Sequence, residues 1–362
     1  MTGMDKNTAM TKGMHQRTVG LDLGDRTSHY CILDADGEVV MQGEVKSTKE
    51  EFALLFGGMP RSRVVMEVGT HSPWASEQLA AWHEVVVANA QSVRALLKGR
   101  RKNDRADAEG LARLGRSDLA LLRPVHHRSS QVQQDRAVLE LREGLVEART
   151  KLVNQLRGVF KSLGHRLEAK SYKSMARSLE QLPATLQALA KPTLAVITGL
   201  SEGVKQLDRE VERLGQERYP VTQMLQRVAG VGPVISLAFV LTIEDPDRFR
   251  RSREVGPYLG LVPGQRDSGK QQPQLRITRA GDKAMRRLLV QGAHYIVGRH
   301  GPDTDLKRWA APRLLLGGGH GKKRTIVAVA RKLAVLLHHL WATGEVYEPL
   351  YLANRREGQA AA

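Results

Sequence analysis

Thr18-Val-Gly-Leu-Asp-Leu-Gly24 decides the reading of the fold. Apart from Asp22 it is apolar or small, and a short apolar run bounded by turn residues reads as a buried strand. A carboxylate in such a strand is costly unless it is paired or bound to a cation. A second apolar run, Arg63-Val-Val-Met-Glu-Val68, carries Glu67 near its end. Downstream, Lys102-Asn-Asp-Arg-Ala-Asp-Ala-Glu109 reads as a helix in which Asp104 and Asp107, three apart, share a face. Four carboxylates converging from two strands and a helix repel one another, and a divalent cation removes that repulsion. Oxygen-only ligands suit Mg²⁺ or Mn²⁺. Two such ions can stabilise the attacking and leaving oxygens of a phosphodiester. The rival reading makes Asp22 a turn or cap residue and the helical acids a solvated face. Their order on two strands and a helix favours the metal site. Asp25, Asp34, Asp36 and Glu109 read as bystanders, with Asp34 and Asp36 as turn formers.

Working outward, Thr18–Leu23, Ser28–Leu33 and Glu38–Glu44 read as strands, the last two joined by the turn Asp34-Ala-Asp-Gly37. Arg63–Val68 is a strand, Pro73–Trp82 a helix with Pro in its first turn, and Glu84–Ala90 a strand. Helices follow to about residue 121. This order is that of an RNase H-like α/β domain, placed at residues 17–128 behind a disordered tail at 1–16. Residues 129–220 read as a helical coiled-coil region. Leu141, Leu145, Ala148, Leu152, Leu156, Val159 and Leu163 form one stripe, a coiled-coil seam or a long amphipathic helix, and Val204, Leu207, Val211 and Leu214 a second. A helical hairpin pairing with itself or with another subunit fits both stripes, and a helical spacer packed on its own domain is the equal alternative. A mainly helical C-terminal domain spans 221–345, and a tail 346–362.

The chain has 362 residues and a net charge of +18, with pI near 10.2. The simplest partner for that charge is nucleic acid. Residues 246–332 hold 20 Lys and Arg against 6 Asp and Glu, and residues 91–128 hold ten basic residues against four acidic. Phosphate backbones are expected at these two places. A single cysteine, Cys31, excludes internal disulfides and Cys-rich zinc sites and suits a reducing cytosol. The polar first seventeen residues are not a signal peptide. The longest uncharged run, Val228 to Ile243, is too short and too broken to span a bilayer, so no membrane partner is expected.

Three further segments carry chemistry. Ala229-Gly-Val-Gly-Pro233 resembles a helix-hairpin-helix turn, whose backbone N–H groups at Gly230 and Gly232 can hold a phosphate. The alternative is a glycine-rich bend between core helices. Ser268 stands in a polar loop with Arg266, Lys270, Arg276 and Arg279 close in sequence; a serine attacking a phosphodiester needs such cations. By chemistry alone Ser268 is one loop serine among many, with Ser252 and Thr278 as rivals. The adjacent pairs His126-His127 and His338-His339 do not converge as metal ligands. Aromatic residues are only 4%, so base stacking is not expected to dominate binding.

Together these pieces are similar to a known family. Val19-Gly-Leu-Asp22, Met66-Glu67, Lys102-Asn-Asp-Arg-Ala-Asp-Ala-Glu-Gly-Leu-Ala112, Ala229-Gly-Val-Gly-Pro233, Tyr258-Leu-Gly-Leu-Val-Pro263, Ser268-Gly269 and Ile277-Thr-Arg-Ala-Gly-Asp-Lys283 with Arg286 occur in family order over residues 17–345. The chain resembles the DEDD-type insertion-sequence transposases named after insertion sequence one-ten, which are RNA-guided DNA recombinases. The resemblance implies a RuvC-like N-terminal domain, a coiled-coil linker and a C-terminal transposase domain. Carried over, Asp22, Glu67, Asp104 and Asp107 would bind Mg²⁺ (or Mn²⁺), and Ser268 would form a transient phosphoserine bond to DNA. Donor and target DNA, a structured bridge RNA and a tetramer of two dimers are the implied partners, in a bacterial cytoplasm at the nucleoid. Lys98, Arg100, Arg101, Lys102, Arg105, Gly230, Gly232, Arg266, Lys270, Arg276, Arg279, Lys283 and Arg286 are the expected nucleic-acid contacts. Asp282 sits where the family often has Asn, which puts negative charge beside a phosphate site. A RuvC-like hydrolytic nuclease, an actin- or sugar-kinase-like ATPase and a non-catalytic nucleic-acid-binding protein are the alternative functions.

Overall fold

The computed structural model describes residues 17–98, 103–168, 172–266, 275–316 and 319–360, in two compact units divided at Ser130. The first is a mixed α/β unit. Strands β1 (Thr18–Asp22), β2 (Thr27–Leu33), β3 (Val39–Lys46), β4 (Arg63–Glu67) and β5 (Glu84–Ala88) form one sheet in the order β3-β2-β1-β4-β5. β1 runs antiparallel to β2 and parallel to β4, which is parallel to β5. Asp34 accepts backbone N–H bonds from Asp36, Gly37 and Glu38, each at 2.9 Å, and so shapes the β2–β3 turn.

Helices cover both faces of this sheet. On one lie α1 (Lys49–Phe56) and α2 (Ser72–Leu79), whose Phe52, Phe56, Ala75 and Leu79 pack with Val19, Leu21, Val64 and Met66. The strand–turn reading passes over α1, yet Phe52 and Phe56 are fully buried at i, i+4 and their rings meet edge to face at 5.5 Å. Burying each ring contributes about 1.5–3 kcal/mol. On the other face lie α3 (Ala90–Leu96) and α4 (Asp104–Gly115), with Val93, Ala108, Leu111 and Ala112 against Cys31, Leu33, Val65, Val86 and Ala88.

The second unit is helical: α5 (Ser130–Ser162), α6 (Tyr172–Glu180), α7 (Ala184–Glu217), α8 (Val221–Leu225), α9 (Pro233–Ile243), α10 (Val255–Tyr258), α11 (Lys283–Val297), α12 (Asp305–Leu316), α13 (Gly319–Thr343) and α14 (Tyr351–Ala360). α5 and α7 form an antiparallel hairpin. Val132 packs with Val211 and Leu214 at one end, and Leu156 and Phe160 with Ala190 and Ile197 at the other. Asp135, buried in α5, is held by Arg218 at 2.5 Å and by the Tyr219 hydroxyl at 2.7 Å. Burial and that hydrogen bond push the Tyr219 phenol well above its usual range.

Two expectations change here. Only part of the α5 stripe is a seam: Leu156 is covered, but Leu141, Val159 and Leu163 are 64%, 50% and 50% exposed. The inward stripe runs instead through Val132, Leu139, Leu156 and Phe160. The segment expected as a C-terminal tail forms α14, and it is tied back by Leu352 N–H to Asp305 Oδ2 at 2.7 Å and by Asp305 N–H to the Pro349 carbonyl at 2.7 Å.

The core of this unit is built on α9, buried from Ile235 to Ile243, together with α11 and α13. One segment, Gly321–Thr343, is long and apolar enough to cross a membrane, but half of its most apolar window is buried and it supplies Val329, Ala330, Leu333, Ala334 and Leu337 to the core. Asp282 caps α11 by accepting the Met285 N–H at 2.9 Å. Its carboxylate also takes Arg136 of α5 at 2.7 Å, with both side chains largely buried. Its charge is therefore neutralised within the fold. Asp282→Ala removes a cap and leaves Arg136 with only the Thr242 hydroxyl at 3.2 Å and Glu140 at 3.8 Å, so urea denaturation is expected to show a loss of about 2 kcal/mol, with Asp282→Asn losing less because it can still cap.

Candidate active site

In open α/β sheets ligands gather at the carboxyl ends of the parallel strands. Asp22 ends β1 and Glu67 ends β4. Side chains alternate along a strand, so Asp22 shares a face with Gly20, and Glu67 with Val65. That is the face covered by α4. Asn103 starts the helix, its Oδ1 accepting the Ala106 N–H at 2.7 Å. Asp104 and Asp107 then fall in the first turn, where the helix dipole favours acids, and prolong the inward stripe of Ala108, Leu111 and Gly115.

Asp22, Glu67 and Asp107 line one cavity of about 340 Å³ with Val93, Arg94, Leu97, Lys98 and Leu111. Asp104 stands outside that lining, with its side chain 70% exposed and 3.8 Å from His29 Nδ1. The Asp22 carboxyl is raised above the ordinary Asp value, first by burial and then by Asp107 and Asp104; His29 opposes the rise and Glu67 adds to it. Among the described residues no three His, Cys, Asp or Glu side chains stand close enough to enclose a metal ion. Mg²⁺ is usually held by one or two carboxylates, with waters and substrate phosphates completing its shell. The oxygen donors and the repulsion recorded at Asp22 fit such an open site.

His29 belongs to this neighbourhood and was not singled out in the sequence. It faces Asp22 in the β1–β2 register, and its Nε2 lies 3.3 Å from Glu44 Oε1. The available signal was the short connection between β1 and β2, which makes them antiparallel neighbours. Arg94, on the cavity wall, was also missed. Among the nearby acids, Glu109 pairs with Arg113 at 2.7 Å, and exposed Asp25 faces His71.

In the second unit, Gly230 takes φ +80°, and a β-carbon there would meet the Gly292 carbonyl of α11 at 2.7 Å, so close helix packing accounts for this glycine. Gly232 has open space around it and borders a cavity of about 430 Å³ with Arg227, Gln291 and Tyr295. Ser268 and Lys270 lie outside the described residues, as do Arg100, Arg101 and Lys102. The base of the Ser268 loop is described: Gly264 N–H donates to the Arg276 carbonyl and Thr278 N–H to the Val262 carbonyl, each at 2.9 Å. Arg266, Arg276, Arg279 and Lys283 are exposed around it, as Lys98 and Arg105 are in the first unit. Arg286 instead turns inward to the carbonyls of Leu259, Ala280 and Gly281, and burial lowers its pKa. Of the rival hydroxyls, Ser252 is bound to buried His338 Nδ1 at 3.0 Å. His339 points away to Glu345, so this histidine pair diverges.

A transposase family model, named for the DEDD motif and IS110, matches residues 19–165, and a second, described as transposase of the IS116/IS110/IS902 family, matches residues 222–308. The chain is 27% identical over 342 residues to the transposase for insertion sequence element IS1111A of Coxiella burnetii, covering 91% of each chain. It is 29% identical over 346 residues to a probable family 20 transposase of Pseudomonas aeruginosa, covering 93% of this chain and all of that one. Similarity to the IS1328 transposase of Yersinia enterocolitica is 25% over 340 residues, 91% of this chain and 98% of the relative.

Proposed function

The chain belongs to the IS110 family of insertion-sequence transposases, and on that footing we propose that it cuts and rejoins donor and target DNA through a serine-linked intermediate. The observation that carries the reading is the meeting of Asp22, Glu67 and Asp107 in one cavity at the carboxyl ends of parallel strands, the arrangement expected of a RuvC-like domain. Asp22, Glu67, Asp104 and Asp107 would hold Mg²⁺ or Mn²⁺, which supplies positive charge to phosphoryl and leaving oxygens when bound.

The chain's own residues do the rest. The acidic wall would hold the cation against which the phosphodiester lies. The Ser268 hydroxyl attacks phosphorus, forming a serine–phosphate ester as the P–O bond to the DNA oxygen breaks and the serine proton is made up on that departing oxygen, and the exposed arginines around its loop neutralise the charge that develops. The ester keeps the bond energy, so rejoining needs no ATP. The basic surfaces would carry DNA and a structured guide RNA, in a homo-oligomer proposed as a tetramer of two dimers.

A covalent-trapping assay tests this reading. Protein purified with RNA transcribed from the element's flanks is given Mg²⁺ and labelled donor and target DNA, then run on a denaturing gel. A protein–DNA adduct is expected with the wild type and none with Ser268→Ala or Asp104→Ala. Cutting without an adduct that persists in Ser268→Ala would replace the serine reading with a hydrolytic nuclease.

A further inference from the structure

The acidic cavity has a basic wall to which the carboxylate chemistry gives no task. α3 leaves the carboxyl end of β5, with Asn89 Oδ1 accepting the Gln91 N–H at 2.9 Å, and Val93 anchors the helix in the core. Arg94 lies in α3 and Lys98 two residues past its end at Leu96, and both line the cavity that holds Asp22, Glu67 and Asp107. Both are exposed. Among the described residues neither forms an ion pair with a carboxylate within 4.0 Å. Cations and acids that share a cavity this small without closing on each other leave room between them for an anionic group. A phosphodiester approaching three carboxylates is repelled, and cations lining the same cavity offset that repulsion. A guanidinium fork can take two phosphate oxygens at once, while an ammonium acts as a point charge.

We propose that Arg94 and Lys98 grip a backbone phosphate of the DNA strand held at the acidic cavity, as positioning residues that carry the strand to the carboxylates. The inference rests on the DNA-cutting reading above. Its test uses the full-length protein and a fluorescent duplex bearing the element's own end, with binding followed by anisotropy over a range of KCl. Removing both charges in Arg94→Gln/Lys98→Gln is expected to flatten the dependence of log K on log salt by about 2, roughly 1 for each cation withdrawn from the phosphate backbone.

A second measurement replaces the phosphates of the duplex one at a time by neutral methylphosphonate. One position is expected to weaken wild-type binding about tenfold and to have no further effect in the double variant. Arg94→Lys is expected to keep most of the salt slope. An unchanged slope, together with a methylphosphonate penalty that persists in the double variant, would make the pair a solvated face and overturn the inference. Neither readout needs strand cutting. A wild type that fails to cut in the trapping assay would therefore count against the function alone, and an unchanged slope with intact cutting against the grip alone.

Discussion

Asp22→Asn is expected to melt above the wild type at neutral pH and to lose Mg²⁺-dependent strand cutting. Both halves follow from one carboxylate. Its pKa is raised first by burial and then by Asp107 and Asp104. A carboxyl that holds its proton more tightly in the fold than in the unfolded chain favours the fold below the ordinary Asp value, and that favour is lost as pH rises through the raised folded value. At neutral pH, without a cation, the ionised group is therefore a burden on the native state. Asparagine keeps the shape and removes the charge. Each 1 kcal/mol relieved raises the midpoint by roughly 4 °C in a domain of this size. The wild type is expected to lose stability as pH rises through the carboxylate range, and the variant to lose less of it. Added Mg²⁺ should raise the wild-type midpoint and leave the variant nearly unmoved, because binding to the native state alone stabilises it. Cutting should fall by more than about 100-fold, the upper end of what is lost when only a hydrogen-bond partner of a metal ligand is removed. Differential scanning fluorimetry across pH, with and without Mg²⁺, checks the first half. A midpoint equal to or below the wild type would show that Asp22 is stabilised by the fold rather than strained by it.

How much of this was legible in the sequence depends on which physical signal was local. The strands around Asp22 and Glu67 are continuous apolar runs because helices cover both faces of the sheet, so each run announces itself. α1 does not: its Lys-Glu-Glu start reads as a polar connection, and only the i, i+4 pair Phe52 and Phe56 betrays a buried face. The α5 stripe shows the limit of periodicity. A 3.5-residue pattern establishes that a helix has apolar faces, but two overlapping stripes run through this one, and the partner helix decides which is covered. Asp282 looked like a charge beside a phosphate because its neutraliser, Arg136, lies 146 residues away. At the candidate site, residues were visible where a motif held them, as with Asp22, Glu67 and Asp107. They were missed where strand register or helix phase placed them, as with His29 beside Asp22 and Arg94 on the cavity wall.

Gly20→Ala is expected to be the most disruptive small substitution in the first unit, although it adds one methyl group. Gly20 lies in the middle of β1 on the face that α4 covers. A β-carbon there would stand 2.0 Å from the Ala108 carbonyl oxygen and 2.3 Å from Ala112 N. These are backbone atoms of a helix, so no side chain can rotate away and the helix itself must shift. Gly115, further along α4, makes a matching approach, where a β-carbon would meet Val65 and Thr18 side-chain carbons inside 3.0 Å. Overpacking a core usually costs about 1–3 kcal/mol. A clash between backbones belongs at or above the top of that range, against a total stability of about 5–15 kcal/mol. Urea denaturation of Gly20→Ala should read this loss directly. The same displacement reaches the chemistry, because α4 carries Asp104 and Asp107. A misplacement of about 1 Å in a reacting constellation can cost about 100-fold in rate, so cutting should fall even under conditions where the variant remains folded. Gly144 and Gly158 supply the contrast. Both lie in α5 with nothing within 4 Å of an added β-carbon, so Gly144→Ala and Gly158→Ala are expected to stabilise by up to about 1 kcal/mol through helix propensity alone. If Gly20→Ala instead behaves like these two, α4 does not pack as closely on β1 as described, and the cavity shared by Asp22, Glu67 and Asp107 is without the close packing that holds its walls together.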